Sequence, residues 1–247
     1  VGAALRETGQ TMRAMQFSSL EEFRSDRTDH GGGPFAVVVC EDRSEIDSTL
    51  EHVLSLGFRA VFLVGAPGTD AEALPRRDGV PVHVIVDRPR RRGAAQDAVN
   101  ILIDKVPGAW VHYCYNGEYL FYPFCEDRSV GELTSWVMEE RRYSVLTFVI
   151  DLYAGDLSRF PDAVSLDTAL FDTSGYYAQR RVREGDRVME RQLDFFGGLR
   201  WRFEEHVADS RRRIDRIALF RARSGLRLRE DHTLNEEEMN TYECPWN

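Results

Sequence analysis

Four short apolar runs, each followed by polar residues, constrain this chain more than any other feature. They are "PFAVVVC" (34–40), "RAVFLVG" (59–65), "VPVHVIVD" (80–87) and "AWVHYCY" (109–115). Near-continuous β-branched runs of this length fit strands covered on both faces, which is the environment of a parallel sheet. Between them lie amphipathic stretches. In "SEIDSTLEHVLSLG", Ile46, Leu50, Val53 and Leu54 form one stripe, with Ser44 as the expected N-cap, Asp47 at the capping-box position and Gly57 as the stop. In "AAQDAVNILIDKVPG", Val99, Leu102, Ile103 and Val106 form another. Strands alternating with helices predict an α/β fold, a mostly parallel central sheet with helices on both faces.

Sheets of this kind bind ligands beyond the carboxyl ends of their strands, near a switch in strand order. Four polar segments are predicted to meet at that rim: "CED" (40–42), "GAPGTD" (65–70), "VDRPRRR" (86–92) and "YNGE" (115–118). They carry acids and arginines suited to a charged, phosphate-bearing ligand. Beyond Glu118 the rhythm changes. "SVGELTSWVMEERR" predicts a helix capped by Ser129, with Val130, Leu133, Trp136 and Val137 inward. "YSVLTFVIDLY" predicts a strand ending at Asp151, and "IALFRA" and "LRLRE" two short strands after an irregular stretch. Residues 1–34 end in three glycines and Pro34. They read as an arm with short helices near Leu5–Met15 and Leu20–Phe23, packing loosely or against a partner. Residues 35–247 read as a single domain.

Bulk properties narrow the function. The net charge of −9 argues against a general nucleic-acid binder, since a sequence-independent grip on phosphates needs a positive surface. Lys105 is the sole lysine, so anion contacts fall to the planar arginine fork. Cys40, Cys114, Cys125 and Cys244 form no C-x-x-C pair, which points away from a zinc site and towards a reducing, cytoplasmic compartment. No apolar run approaches the length of a membrane-spanning helix. Walker, G-x-S-x-G and G-x-G-x-x-G motifs are absent, which weighs against nucleotide kinases, hydrolases and dinucleotide oxidoreductases.

The ordered series of pieces resembles family 2 glycosyltransferases, in particular a bacterial subgroup whose late strand ends in W-x-x-x-x-D-x-D-E-F-L. "VVVCEDRSEIDSTLEHVLSLGFRAVFLV" matches its opening strand, helix and second strand, "GAPGTD" its S-x-D turn, and "WVHYCYNGEYLFYP" its D-x-D-E strand. "VIDLY", "FFGGLRWRF" and "REDHTLN" stand where that subgroup has Asp-Met-Tyr, Gly-Gly-x-Arg-x-Arg and Ser-x-His motifs. The resemblance implies a GT-A fold, with a nucleotide-sugar half (35–122) and an irregular α+β acceptor half (123–247). It also implies a nucleotide-diphosphate sugar as donor and a glycan or lipid-linked hydroxyl as acceptor, with peripheral contact to a membrane. The chain departs from the family where Tyr115 and Gly117 replace the two aspartates.

The resemblance assigns Glu41, Asp42, Asp70, Asp87, Asn116, Gly117 and Arg200 to the donor, and the run "DRPRRRG" offers Arg91, or Arg88, Arg90 or Arg92, as positive charge for the diphosphate where metal is weak or absent. Asp151 is the first candidate for the base that takes the acceptor proton, Asp231 a rival, and Glu118 a catalytic acid at the turn. Glu118, Asn116 and His232 would be the ligands of a weakly held or absent Mn2+ or Mg2+, a thin oxygen set for a hard cation. Two other readings stand beside this one: a degenerate, non-catalytic relative kept as a binding or assembly partner, and a sugar-phosphate nucleotidyltransferase. The arm and the charged middle region could support pairing of two copies.

Overall fold

The computed structural model describes residues 13–182, 188–236 and 241–243, with side chains for 13–181 and 193–236. In chain order the elements begin with strand β1 (Gln16–Phe17), helix α1 (Leu20–Ser25), β2 (Phe35–Val39), α2 (Ile46–Ser55), β3 (Ala60–Gly65) and β4 (Val82–Val86). Next come α3 (Ala94–Lys105), β5 (Trp110–Tyr115), α4 (Val130–Glu139) and β6 (Ser144–Phe148). The second half adds β7 (Tyr153–Ala154), β8 (Ala169–Leu170), β9 (Tyr177–Val182), β10 (Val188–Phe196), α5 (Gly198–Arg202), α6 (Asp209–Arg212), β11 (Asp215–Arg221) and β12 (Thr241–Glu243).

Eight strands form the main sheet in the order β1-β4-β3-β2-β5-β11-β6-β12. All neighbouring pairs are parallel except the two made by β11, which runs antiparallel between β5 and β6. The sheet is built outward from β2, to β3 and β4 on one side and to β5 on the other. The switch in strand order therefore lies between β2 and β5.

Period-2 alternation splits the core into two layers. Phe35, Val37 and Val39 of β2, with Phe62, Val64, Val111 and Tyr113, pack against α1 and α3. Ala36 and Val38, with Val61, Leu63, Trp110 and Cys114, pack against α2 and α4. Strands β2 and β3 are apolar and buried throughout because both faces are covered.

Several local expectations are corrected. Residues 13–34, the described part of the arm, do not pack loosely: β1 pairs in parallel with β4, and Phe17 and Phe23 are core residues. The hydrophobic effect of two buried phenylalanines outweighs the polarity of the surrounding sequence. The helix expected near Leu5–Met15 falls largely outside the described residues, and 13–15 are not helical. Helix α2 starts from Glu45 in a left-handed conformation (φ 55), not from a Ser44 cap; the Thr49 and Ser48 hydroxyls donate to the Glu45 carbonyl instead. Trp136 of α4 faces outward, its inward place taken by Thr134, while Ser129 and Glu132 form the capping box. Strand β6 stops at Phe148, so Asp151 lies in a loop, and "LRLRE" contributes an isolated bridge at Leu228, not a strand.

Beneath the arm, His30 and His83 are buried side by side, 5.5 Å between ring centroids, and His83 stacks on Phe62. Asp26, Asp29 and Lys105 are the charged groups acting on His30, yet no ring nitrogen of either histidine has a hydrogen-bond partner among the described residues. Burial lowers both pKa values, His83 to about 4, so the His83 ring stays neutral in the fold down to that range. The unfolded chain then binds more protons than the folded one between about pH 6.5 and pH 4, and acidification through that window destabilises the protein. A His83→Phe variant should lose less stability than wild type between pH 7 and pH 5 in urea titrations. Separately, Phe23→Ala should cost about 3–5 kcal/mol and expose residues 13–34 to proteolysis.

Candidate functional site

The parallel strands β2, β3, β4 and β5 bring the loops after Val39, Gly65, Val86 and Tyr115 to one rim. At the β2–β5 switch a cleft of about 430 Å3 opens, bounded by Glu41, Asn116 and Glu118 on the sheet side and by Asp151, Arg200 and Arg211 across from them. Asp231 and His232 close its third side. A wider groove of about 970 Å3 lies at the opposite ends of the strands, beside Trp110 and Trp136. Its titratable residues are Glu132 and Glu139, and Glu132 is engaged in the α4 capping box, so it offers little chemistry.

The turn after β5 is closed by the Glu118 amide donating to the Tyr115 carbonyl, and Gly117 takes φ +77, where a side chain would be strained. This is a backbone reason for glycine at the place of the second expected aspartate. Asn116 latches the two switch-point loops together. Its Oδ1 accepts from the Glu41 amide (2.9 Å), and its Nδ2 donates to Asp42 Oδ1 (2.7 Å) and to the Ser44 carbonyl (2.8 Å). Asp42 also accepts from the Ser44 amide, which is the main reason its pKa is lowered.

Glu118 points into a ring of donors. Its carboxylate accepts from the Tyr115 amide (2.8 Å) and makes a two-pronged pair with Arg216, whose Nη1 lies 3.1 Å from Oε1 and whose Nη2 meets Oε2. The two side chains are 23% and 12% exposed, so the pair is largely withdrawn from water. Burial works to raise the Glu118 pKa. The charge and hydrogen bonds of Arg216, with the Tyr115 amide, outweigh it and hold the carboxyl below its ordinary range. The Arg216 guanidinium also lies over the Tyr113 ring, 5.2 Å from its centroid. His232 sits against the same wall, parallel to Tyr113, with the Tyr113 and Tyr115 hydroxyls 3.4 and 3.5 Å from its two ring nitrogens. Burial, then the positive charge of Arg216, lowers its pKa to about 4.

The remaining acids are also paired. Arg200 grips Asp151 at both carboxylate oxygens (2.8 and 2.9 Å), Arg211 reaches Glu41 at 3.0 Å, and Arg213 bonds Asp194 at 2.9 Å and the Asp231 carbonyl. Asp231 Oδ1 accepts from Thr233; these bonds offset its burial and keep its pKa low.

Of the residues assigned from sequence, the cleft brings together Glu41, Asn116, Glu118, Asp151, Arg200, Asp231 and His232. Asp42 and Gly117 stand just behind it, bonded to Asn116 and Thr49 respectively. Asp70, Asp87 and Arg91 are not part of its lining. Asp70 closes a local turn by accepting from the Glu72 amide, and Arg91 links Asp87 to Asp97 at the start of α3. Arg211, Arg213 and Arg216 were missed. Arg216 is the second residue of β11, and because that strand is antiparallel its first residues, not its last, reach the rim. The available signal was the charged pair Asp215–Arg216 immediately before "IALF".

The donor set expected for a divalent cation does not fit one. Glu118 is occupied by Arg216, the Asn116 oxygen accepts from Glu41, and His232 faces tyrosine hydroxyls with a guanidinium nearby. Among the described residues, no group of three or more His, Cys, Asp or Glu side chains is placed to hold a metal. No helix among them is long and apolar enough to cross a membrane. No family model, curated protein or solved structure matches this chain.

Removing one partner of the withdrawn pair leaves the other charge uncompensated. Glu118→Ala should therefore destabilise the fold by about 3–5 kcal/mol, while Glu118→Leu combined with Arg216→Met should recover most of that loss in urea denaturation. A cost below about 1 kcal/mol for the single variant would mean that the pair is effectively solvated.

Proposed function

We propose that this chain is a glycosyltransferase-like protein of GT-A fold. On this reading it binds a nucleotide-diphosphate sugar in the β2–β5 cleft and passes the sugar to a hydroxyl of a glycan or lipid acceptor. The observation that carries the reading is the convergence, at the switch point of the sheet, of Glu41, Asn116 and Glu118 with Asp151 and four arginines. Switch-point crevices are where open α/β sheets hold nucleotides, and guanidinium groups match phosphate geometry. The family resemblance of the ordered motifs points the same way.

In the proposed step the acceptor oxygen bonds to the anomeric carbon as the carbon–oxygen bond to the diphosphate breaks. The electron pair leaves with the nucleoside diphosphate, and the hydroxyl proton passes to Asp151. Asp151 stands across the cleft from the β5 turn, and Arg200 fixes its orientation through both oxygens. The same bidentate pair occupies both Asp151 oxygens, and with the Glu118–Arg216 pair it is the specific observation favouring the second reading, a non-catalytic relative that binds without turnover.

The two readings separate in one set of assays on the full chain. Titration with uridine, guanosine and thymidine diphosphate sugars should give saturable binding to at least one donor, with slow donor hydrolysis or transfer to added glycan. Asp151→Asn should reduce that turnover by about 10²–10⁴-fold while donor affinity stays within about threefold. Binding with no turnover under any acceptor condition supports the non-catalytic reading. Absence of binding to every donor overturns the nucleotide-sugar assignment itself.

A further inference from the structure

We infer that the cleft takes its diphosphate as a metal-free anion, with the Arg216 and Arg211 guanidinium groups standing where the resembling enzymes use a divalent cation. The inference rests on the nucleotide-sugar reading of the cleft and specifies how that ligand is held.

The turn after β5 is the place to look for cation ligands, and the side chains of Asn116 and Glu118 there already have competing partners. Glu118 accepts from Arg216 and from the Tyr115 amide, Asn116 holds the β2 loop, and Tyr115 and Gly117 supply no carboxylate. A cation entering beside Glu118 would meet the fixed positive charge of Arg216 at the same carboxylate, a like-charge approach in a site partly removed from water. The chain thus carries its positive charge covalently, on a strand of the sheet.

Arg216 and Arg211 divide the work by their surroundings. Arg216 is withdrawn, bonded to Glu118 and stacked over Tyr113, so its position is fixed before any ligand arrives. Its Nε is buried with no acceptor among the described residues, a donor left unsatisfied in the present arrangement. Arg211 is 64% exposed, and its bond to Glu41 is a surface pair that water and salt weaken. It can exchange Glu41 for a phosphate oxygen at little cost. Arg213 lines the same wall but is committed to Asp194 and to the Asp231 carbonyl, which positions the 231–232 loop. Arginine suits this arrangement better than lysine, because its planar fork can keep one carboxylate and still present further N–H groups.

Calorimetry on the full chain tests the inference with two probes, inorganic pyrophosphate and uridine or guanosine diphosphate. Each is titrated in EDTA and again in millimolar MnCl2. The expected result is binding in EDTA, with affinity changed less than about threefold by manganese and weakened by added salt. Arg211→Ala, an exposed substitution that leaves the core intact, should weaken both probes by about tenfold without restoration by manganese. Glu118→Gln combined with Arg216→Met, which avoids an orphaned charge, should weaken them further.

Binding that requires manganese, or that strengthens tenfold with it, overturns the inference and leaves the nucleotide-sugar reading standing. Unchanged affinity in Arg211→Ala and in the double variant also overturns it. Pyrophosphate binding in EDTA without any nucleotide binding supports the arginine site and overturns the nucleotide reading. Failure of both probes in both buffers overturns both.

Discussion

The Glu118–Arg216 ion pair is the interaction that the candidate site depends on. It joins the turn after β5 to the first residues of β11, two segments 98 positions apart, and does so at the edge of a largely apolar core. A withdrawn pair of this kind contributes little net stability compared with an apolar pair, because both charges are desolvated. What it provides is placement. The guanidinium is fixed over Tyr113, the carboxylate is removed from the pool of available bases and ligands, and the His232 ring beside them is kept neutral.

Around that pair the cleft is an ordered lattice of opposite charges. Asp194 with Arg213, Asp151 with Arg200 and Glu41 with Arg211 repeat the same motif, and their exposure rises in that order. The gradient matters more than the number of pairs. Interactions near the sheet resist exchange, while those at the mouth trade partners readily in water. A charged ligand can therefore enter by displacing a surface carboxylate without disturbing the buried pair. The negative charge of the chain as a whole is compatible with such a site, because the proposed ligand would meet the local arginines of the cleft and not the overall charge.

Much of the sheet was legible in the sequence. The four runs at Phe35, Ala60, Val82 and Trp110 are largely apolar, broken by His83 and His112, because they are covered twice, and their common direction fixes which loops share a rim. The arm was misread because two phenylalanines, Phe17 and Phe23, are a weak signal among polar neighbours, yet they fill a gap beside β4 and α3. Asp70 and Asp87 lie outside the cleft lining, in a turn and an ion pair, because polarity after a strand does not distinguish a ligand contact from either. Arg216 was hidden by strand direction. Periodicity reveals that a strand exists but not that it runs antiparallel, and only that reversal carries the start of β11 to the cleft. No local sequence pattern couples Glu118 to a residue so distant.

The most direct measurement is a crystal structure of the chain soaked with a nucleoside diphosphate in the presence of EDTA. The account predicts phosphate density between Arg211 and the β5 turn, the Arg211–Glu41 bond broken, and the Glu118–Arg216 pair unchanged. Density confined to the Arg88–Arg92 loop, or a nucleotide ordered only when manganese bridges it to Glu118, would contradict it.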